Sequence, residues 1–525
     1  MPPCKKIAGA LLAALWLTVG GAGCSRSGAT PAAADRGPHR LRALIIPQPG
    51  SLIPLEGDVY VDGQITDLIF SNLVKANYLG TLAPELAASW EISPDHREYT
   101  FHLRKGVRFH DGRPFTAADV VFTLEQLMAK AGDKFAEIHY LDGFDDYLAG
   151  RSARVRGLQV LDDHTLRVRL SENFKFFLQF LAAEHAAIVP KDYAGLSEEA
   201  FRRQPVGTGP FRLAGTETRG GPQPFLVFKL ERNRGYFAPA GNLDTIDFYA
   251  ANSQVNPGRK EPFDLLYLSI NEISTFAANP DYRVINSSPT ILNFLVLNPN
   301  QNSQMRDPRV RRLIQYGINR EELVRNVFKR QAQPAHSMMP FGLLGHNPYY
   351  RLDYSRAAAI RSELPAGTIR FTLMTVANDK RELVAAFISR ALARFQIETQ
   401  VVTISDQYDY FANRIYHTDT SVLLGGYPDY PASFHFLSHL VEPSGYYNVF
   451  GFRLPGVNAR IRTLPSIATM DETRTLAEIN AALENEALYI PLYHVSNFLA
   501  IRSRVRSIGF KYGEYVDFAS LEVAP

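Results

Sequence analysis

Along this chain the hydrophobic positions change period, and the changes mark out elements. LRALIIP, residues 41–47, is a short apolar run closed by Pro and predicts a first strand. GQITDLIFSNLVKA, from Gly63, sets Ile65, Leu68, Ile69 and Leu73 on one helical face. Tyr99, Phe101 and Leu103 then alternate with Thr100, His102 and Arg104, which predicts a half-buried strand with His102 on its polar side. From about residue 280 the texture is α/β. ILNFLVLN (291–298) predicts a strand, DPRVRRLIQYGI a helix with Pro308 in its first turn, and Asn319 caps a further helix ending near Lys329. IRFTLMTV (369–376), the helix NDKRELVAAFISRALARF with Leu383, Phe387, Leu392 and Phe395 turned inward, and IETQVVTI (397–404) form one βαβ unit with a parallel pairing. LAEINAALENEALYIPLYHV ends the pattern with a helix and a buried strand.

Between the first strand and that α/β region lies FHLRKGVRFHDGRPFTAADVVFTLEQL, residues 101–127, where His110 sits beside Asp111. A His–Asp pair can serve acid–base chemistry or a metal, but each residue here has a structural role. Lys105-Gly106 breaks the strand, His110-Asp111-Gly112 closes it in a tight turn, and Thr116 to Asp119 has the capping-box form ahead of a helix with Val120, Val121, Leu124 and Leu127 inward. QPVGTGPFRL (204–213) likewise resembles part of a phosphate loop. It lacks the third Gly and the Lys-Ser/Thr ending, and Pro210 blocks a helix, so a turn feeding a strand is the reading.

Composition narrows the classes. At 525 residues the chain is too long for one ordinary core and predicts several domains or lobes. The net charge is +3, and Lys5 and Lys6 are the only charges before Cys24, so no global field favours nucleic acid. The cluster Arg306, Arg309, Arg311 and Arg312 reads as a solvated helix face. Only Cys4 and Cys24 are present, which excludes a structural disulfide in the folded region, a Cys-based zinc site and a cysteine nucleophile. MPPCKK followed by the uncharged apolar residues 7–23 reads as a signal peptide, residues 1–23. The cut points at Cys24, which resembles a bacterial lipobox with Gly21 in place of the usual Leu. Residues 24–40 then form a lipidated Cys24 and a flexible tether, with ordinary cleavage to a soluble periplasmic protein as the alternative.

Five stretches together resemble the peptide/nickel-type (family 5) extracellular solute-binding proteins of ABC importers, the dipeptide- and oligopeptide-binding group. They are PELAASWEISPDHREYTFHLRKGVRFHDGRPFTAADVVFTLEQL, PVGTGPFRL, LERNRGYF with LDTIDFYA, LNPN…DPRVRRLIQYGINREELV, and NEALYIPLYHV. The resemblance covers about residues 41–515. It implies an α/β, two-lobe periplasmic binding protein fold, type II-like, with an extra inserted subdomain in lobe I. Lobe I would comprise 41–278 plus 490–525, with 57–200 as the insertion, and lobe II 279–489. Closure of the interlobe cleft would engulf a ligand.

For the site, the resemblance implies that Asp429, in LLGGYPDYPASFHFL, pairs with a ligand α-amino group, as a desolvated ammonium requires. The alternative is that Asp429 caps a Pro-rich turn. Gly425 and Gly426 would offer bare backbone to a ligand. The family Trp is replaced by Gly426, so Tyr427 or Tyr430 would supply the missing wall, or the pocket is larger. Tyr60 aligns with a segment offering backbone bonds, and Tyr446 and Tyr447 with a stretch near the cleft mouth. His336, His435 and His494 are too scattered in sequence to argue for a metal, and no cofactor is implied. There is no nucleophile elbow, no HExxH and no paired-carboxylate motif, so an enzyme is not expected. The function implied is capture of oligopeptide-like solutes and delivery to a membrane permease and its ATPase. The protein would act as a monomer held to the membrane through Cys24, at the periplasm or cell surface. The alternatives are another solute on the same scaffold, such as a nickel chelate, sugar or haem, or a tethered sensor or chaperone without transport.

Overall fold

The computed structural model describes residues 39–524 apart from 46–50, 56–58, 78–79, 132–135, 221–224, 251–262, 270, 378, 406, 444 and 512–515. The expected signal peptide and Cys24 lie outside the described residues. No helix among the described residues is long and apolar enough to cross a membrane.

The opening apolar run becomes β1 (Arg40–Ile45), followed by α1 (Val59–Ile69). An inserted layer comes next, made of β2 (Ala87–Ile92), β3 (Glu98–Leu103), α2 (Ala117–Ala131), β4 (Leu158–Asp162) and β5 (Thr165–Arg169). The chain continues through β6 (Phe211–Arg219), β7 (Phe225–Arg232), β8 (Thr245–Ala250), β9 (Leu265–Leu268) and β10 (Tyr282–Asn286). It then builds β11 (Ile291–Val296), α3 (Pro308–Gly317), α4 (Arg320–Phe328), β12 (Ala332–Pro334), β13 (Ile369–Val376), α5 (Asp379–Ala393), β14 (Ile397–Ile404) and β15 (Ser421–Gly426). The end of the chain supplies α6 (Ser433–Val441), α7 (Thr469–Glu486), β16 (Tyr489–Val495) and β17 (Phe498–Arg502).

Three sheets organise these strands. The first has seven strands in the order β10-β17-β9-β1-β8-β7-β6, and the second six in the order β12-β16-β11-β15-β13-β14. The inserted sheet is antiparallel, β2-β3-β5-β4. β1 pairs in parallel with both β8 and β9, and its central place explains the apolar run, since Leu41, Ala43, Leu44 and Ile45 are all buried. β10 pairs with β17 in the first sheet while β16 pairs with β11 in the second. Both chain crossings therefore fall one strand later than boundaries at 278/279 and 489/490 would put them. Strand membership is decided by the pairing partner, which local pattern does not carry.

The βαβ unit is parallel throughout, from Ile369↔Ile397 to Val376↔Ile404. Its helix is rotated from the expected stripe. Leu383 is 48% exposed, whereas Phe387 and Leu392 are buried as expected, together with Val384, Ala385 and Ile388, because the 384/388/392 row faces the sheet. One member of the arginine cluster departs from the expected solvated face, while Arg306 and Arg309 are exposed. Arg311 is buried, its guanidinium donating to the carbonyls of Met305, Arg306 and Glu486.

In the inserted layer Tyr99, Phe101 and Leu103 are buried, and His102 stands on the open face 3.2 Å from Glu91. The His110 turn is a brace. Its backbone N–H donates to Gly207 O (2.8 Å), its Nδ1 accepts from Gly207 N–H (3.3 Å), and its Nε2–H donates to Gly209 O (3.1 Å). Asp111 accepts from the backbone N–H of Arg113, and Gly112 has φ +90°. The HDG and GTG motifs are thus two halves of one joint. Gly207 and Gly209 are required there because a Cβ would meet Ile69 O at 1.9 Å and Leu68 O at 2.4 Å.

Gly207→Ala forces backbone apart and should destabilise the protein by ~3 kcal/mol. Gly112→Ala, strained only in φ with open space around it, should cost ~1–2 kcal/mol. Equal melting points for the two variants would show that the joint is not tightly packed. A second expectation concerns acid. His494 on β16 is 2% exposed, and burial, aided by His346 and His336, lowers its pKa to about 3. A depressed histidine stabilises fully above its unfolded pKa and less as pH falls below it. Urea unfolding should weaken by up to ~1.4 kcal/mol per pH unit below about pH 6.5 for this one proton. His494→Asn should remove that share of the slope, and an unchanged slope would assign it elsewhere.

Candidate functional site

Residues 427–432 carry β15 into α6. Pro428 and Pro431 fix φ and withhold backbone donors, so the strand stops and the chain turns. Phe434, Phe436, Leu437, Leu440 and Val441 of α6 are buried, as the helix lies between the second sheet and the inserted layer. The rings of Phe174, Phe176 and Tyr140 surround Phe434 at centroid distances of 5.6, 6.1 and 6.4 Å. Lys175 Nζ reaches across to Glu472 Oε2 (2.6 Å) and donates to Ile467 O (3.0 Å).

The same junction buries a polar cluster. The short 3₁₀ helix Ala136–Tyr140 delivers Glu137, which is 0% exposed, and a second one, Glu184–Ala186, delivers His185. Glu137 Oε1 accepts from Tyr430 OH (2.6 Å) and from His435 Nδ1–H (2.7 Å). On its other side His435 Nε2 lies 3.3 Å from Asp429 Oδ2, and His185 Nδ1 lies 3.7 Å from the same oxygen. His439, one helical turn beyond His435, sets its ring 4.3 Å away, tilted by 45°.

With a carboxylate at each ring nitrogen, His435 is an imidazolium. Burial alone would lower its pKa, but Glu137 and Asp429 outweigh burial and raise it to about 10. Burial alone would raise both carboxyls, and His435 chiefly outweighs it, leaving each at about 2. Burial holds His185 and His439 at about 4, so both are neutral at pH 7. The cluster therefore carries two negative charges and one positive. Its residual negative charge is most accessible at Asp429, whose side chain keeps 19% of its surface.

The expected site residues divide. Asp429 stands at the junction. Tyr430 is only 2% exposed and donates its hydroxyl to Glu137. The space beside Gly426 is filled by Tyr447, whose hydroxyl oxygen lies 2.2 Å from where a Cβ would stand and donates to Tyr427 O (3.4 Å). Gly425 and Gly426 pair with Asn293 and Leu292 of β11 and lie past Ser421 and Val422, the positions where β13 meets β15. Tyr60 falls in the first turn of α1, and its side chain lies outside the described residues. Sequence reasoning missed Glu137, His185 and His439. The His-x₃-His spacing of 435 and 439 was the one available signal. A surface pocket of about 800 Å³, lined by His110, Arg202, Arg203 and Arg212 among others, shares no residue with the cluster.

Among proteins of known role, this chain is 26% identical over 321 residues to the dipeptide-binding protein of Escherichia coli, covering 56% of this chain and 57% of that one. It is 35% identical over 194 residues to di/tripeptide-binding protein 3 of Pseudomonas aeruginosa, covering 34% of this chain and 36% of that one. The matched stretches thus span about half or less of these relatives. The fold matches the Escherichia coli murein tripeptide binding protein MppA with a TM-score of 0.79 at 18% identity, over 93% of this chain and 99% of that one. It matches the periplasmic binding protein DppA of Helicobacter pylori, solved with the peptide STSA, with a TM-score of 0.76 at 23% identity, over 93% of this chain and 98% of that one. These likenesses show the two-lobe periplasmic binding protein fold. Residues 81–448 match the family model, and the chain belongs to the bacterial extracellular solute-binding proteins, family 5.

Proposed function

We propose that this protein is the extracytoplasmic solute-binding component of an ABC importer, which captures oligopeptide-like solutes between its lobes and delivers them to a membrane permease. One observation carries the reading: the junction holds two carboxylates against one imidazolium, and the partly open carboxylate is Asp429. A peptide's α-ammonium meets that residual charge with a charge-assisted hydrogen bond, strengthened when closure excludes water. Membership of the family and the peptide-binding names of the relatives support the same solute class. Tyr447 beside Gly426 supplies the wall that sequence reasoning sought in Tyr427 or Tyr430. Lipidation at Cys24, with residues 24–40 as tether, would hold the protein at the membrane near its permease, and soluble release after ordinary cleavage is the alternative.

Protein spanning residues 25–525, purified and gently denatured, should release a ladder of mixed peptides detectable by mass spectrometry. A single non-peptide species, or nothing above the buffer blank, would overturn the peptide reading. Asp429→Asn should weaken binding of a released peptide by ~2–5 kcal/mol in calorimetry, with the protein still folded by its melting curve. The N-acetylated form of that peptide should lose comparable affinity for the unaltered protein. Undiminished binding in both experiments would remove Asp429 as the amine anchor.

A further inference from the structure

We propose that Glu137, His435 and His439 form a binding site for a divalent transition-metal ion of the zinc class, built across the contact between the inserted layer and α6. Each residue offers one ligand atom, and these atoms lie within 4.8 Å of one another. Ligands of a tetrahedral ion with bonds of ~2.1 Å stand about 3.4 Å apart, a contraction that side-chain rotation can supply. His435 and His439 are spaced i, i+4, so α6 presents both imidazoles on one face. Two imidazoles and a carboxylate are a donor set suited to zinc and its neighbours.

A second observation points to a ligand. Glu137 is fully buried, and while its Oε1 accepts two hydrogen bonds, its Oε2 has no hydrogen-bond partner among the described residues. A buried carboxylate oxygen without a donor is a position a cation would satisfy. The neighbouring groups complete the arrangement. Asp429 lies 3.3 Å from His435 Nε2, placed to orient that ring as outer carboxylates orient metal-bound histidines, and His185 backs Asp429. Ligation balances simply: the dication enters, His435 gives up the ring proton from the nitrogen that binds, and no bond to carbon changes. Glu137 belongs to the inserted layer and the histidines to α6, so cleft opening parts the ligands and admits the ion, and binding draws the two layers together. This inference does not depend on which solute the protein carries.

Zinc chloride titrated into the chelator-stripped protein, residues 25–525, tests it by calorimetry without peptide present. One saturable ion per chain with micromolar or tighter affinity is expected, weakened at least ~100-fold by His439→Ala and by Glu137→Gln. Cobalt(II) should give the intense visible absorption of a tetrahedral site in the unaltered protein and lose it in His439→Ala. His439 is only half-buried, so that variant reports even where Glu137→Gln fails to fold. Absence of saturable binding, or equal affinity in the unaltered protein and His439→Ala, would overturn the proposal.

Discussion

Glu137 and Asp429 are two carboxylates brought into one buried junction, and both stay ionised there because the His435 imidazolium stands between them. Without it, two like charges would share a water-poor space, and one would have to take up a proton. Breaking a buried pair of this kind by removing one partner typically costs ~3–5 kcal/mol, because the remaining charge is left unmet. The constraint reaches outward from His435. Glu137 is nearly three hundred residues away in sequence, so the contact fixes the inserted layer against α6. Tyr430 is held by its hydroxyl on Glu137, which sets the loop carrying Asp429. Phe434, the residue before His435, is thereby seated among Tyr140, Phe174 and Phe176. The apolar contact supplies area without direction, and the ionic contact supplies the register.

A comparable division of labour holds the inserted layer to the first sheet. There the joint is neutral. His110 uses both ring nitrogens and its backbone N–H on Gly207 and Gly209, which burial favours by keeping the ring uncharged. The two glycines let the joint close on the C-terminal end of α1. A His–Asp pair that could have been chemistry is thus a hinge pin: the histidine is consumed by backbone and the aspartate by its own turn.

Local physics made the scaffold legible and left the junction obscure. The alternation at Tyr99, Phe101 and Leu103, the cap at Thr116–Asp119 and the parallel unit of residues 369–404 are written in periods of two and 3.6 within a few residues, and each took the expected form. The stripe on α5 shifted by one position at Leu383, because neighbouring apolar residues, Val384 and Ala385, competed for the same face. Asp429 was reachable through its motif. Glu137 was not, since it lies in a short 3₁₀ turn without periodic signal, and nothing in its neighbourhood marks a partner on α6. His435 lies far in sequence from His336 and His494, and that scatter hid it from sequence reasoning. Its spatial partners are Glu137 and Asp429, with His439 on the same helix beside it.

The described residues include buried cations held in two ways, and the difference bears on the ligand site proposed at the junction. Arg320, fully buried, donates to the carbonyls of Pro491, Gln315 and Ile318, and Arg311 to those of Met305, Arg306 and Glu486. Carbonyl dipoles solvate these guanidiniums much as water would, Arg311 having in addition the Glu486 carboxylate 3.6 Å away, and they leave structural corners between α3, α4 and the strand after α7. His435 is met instead by full carboxylates, one at each nitrogen. Two negative charges against one positive leave the site short of a cation, and part of Asp429 remains open to receive one. Carbonyl-solvated arginines can only hold the fold, whereas a carboxylate pair around a single imidazolium holds it and still attracts.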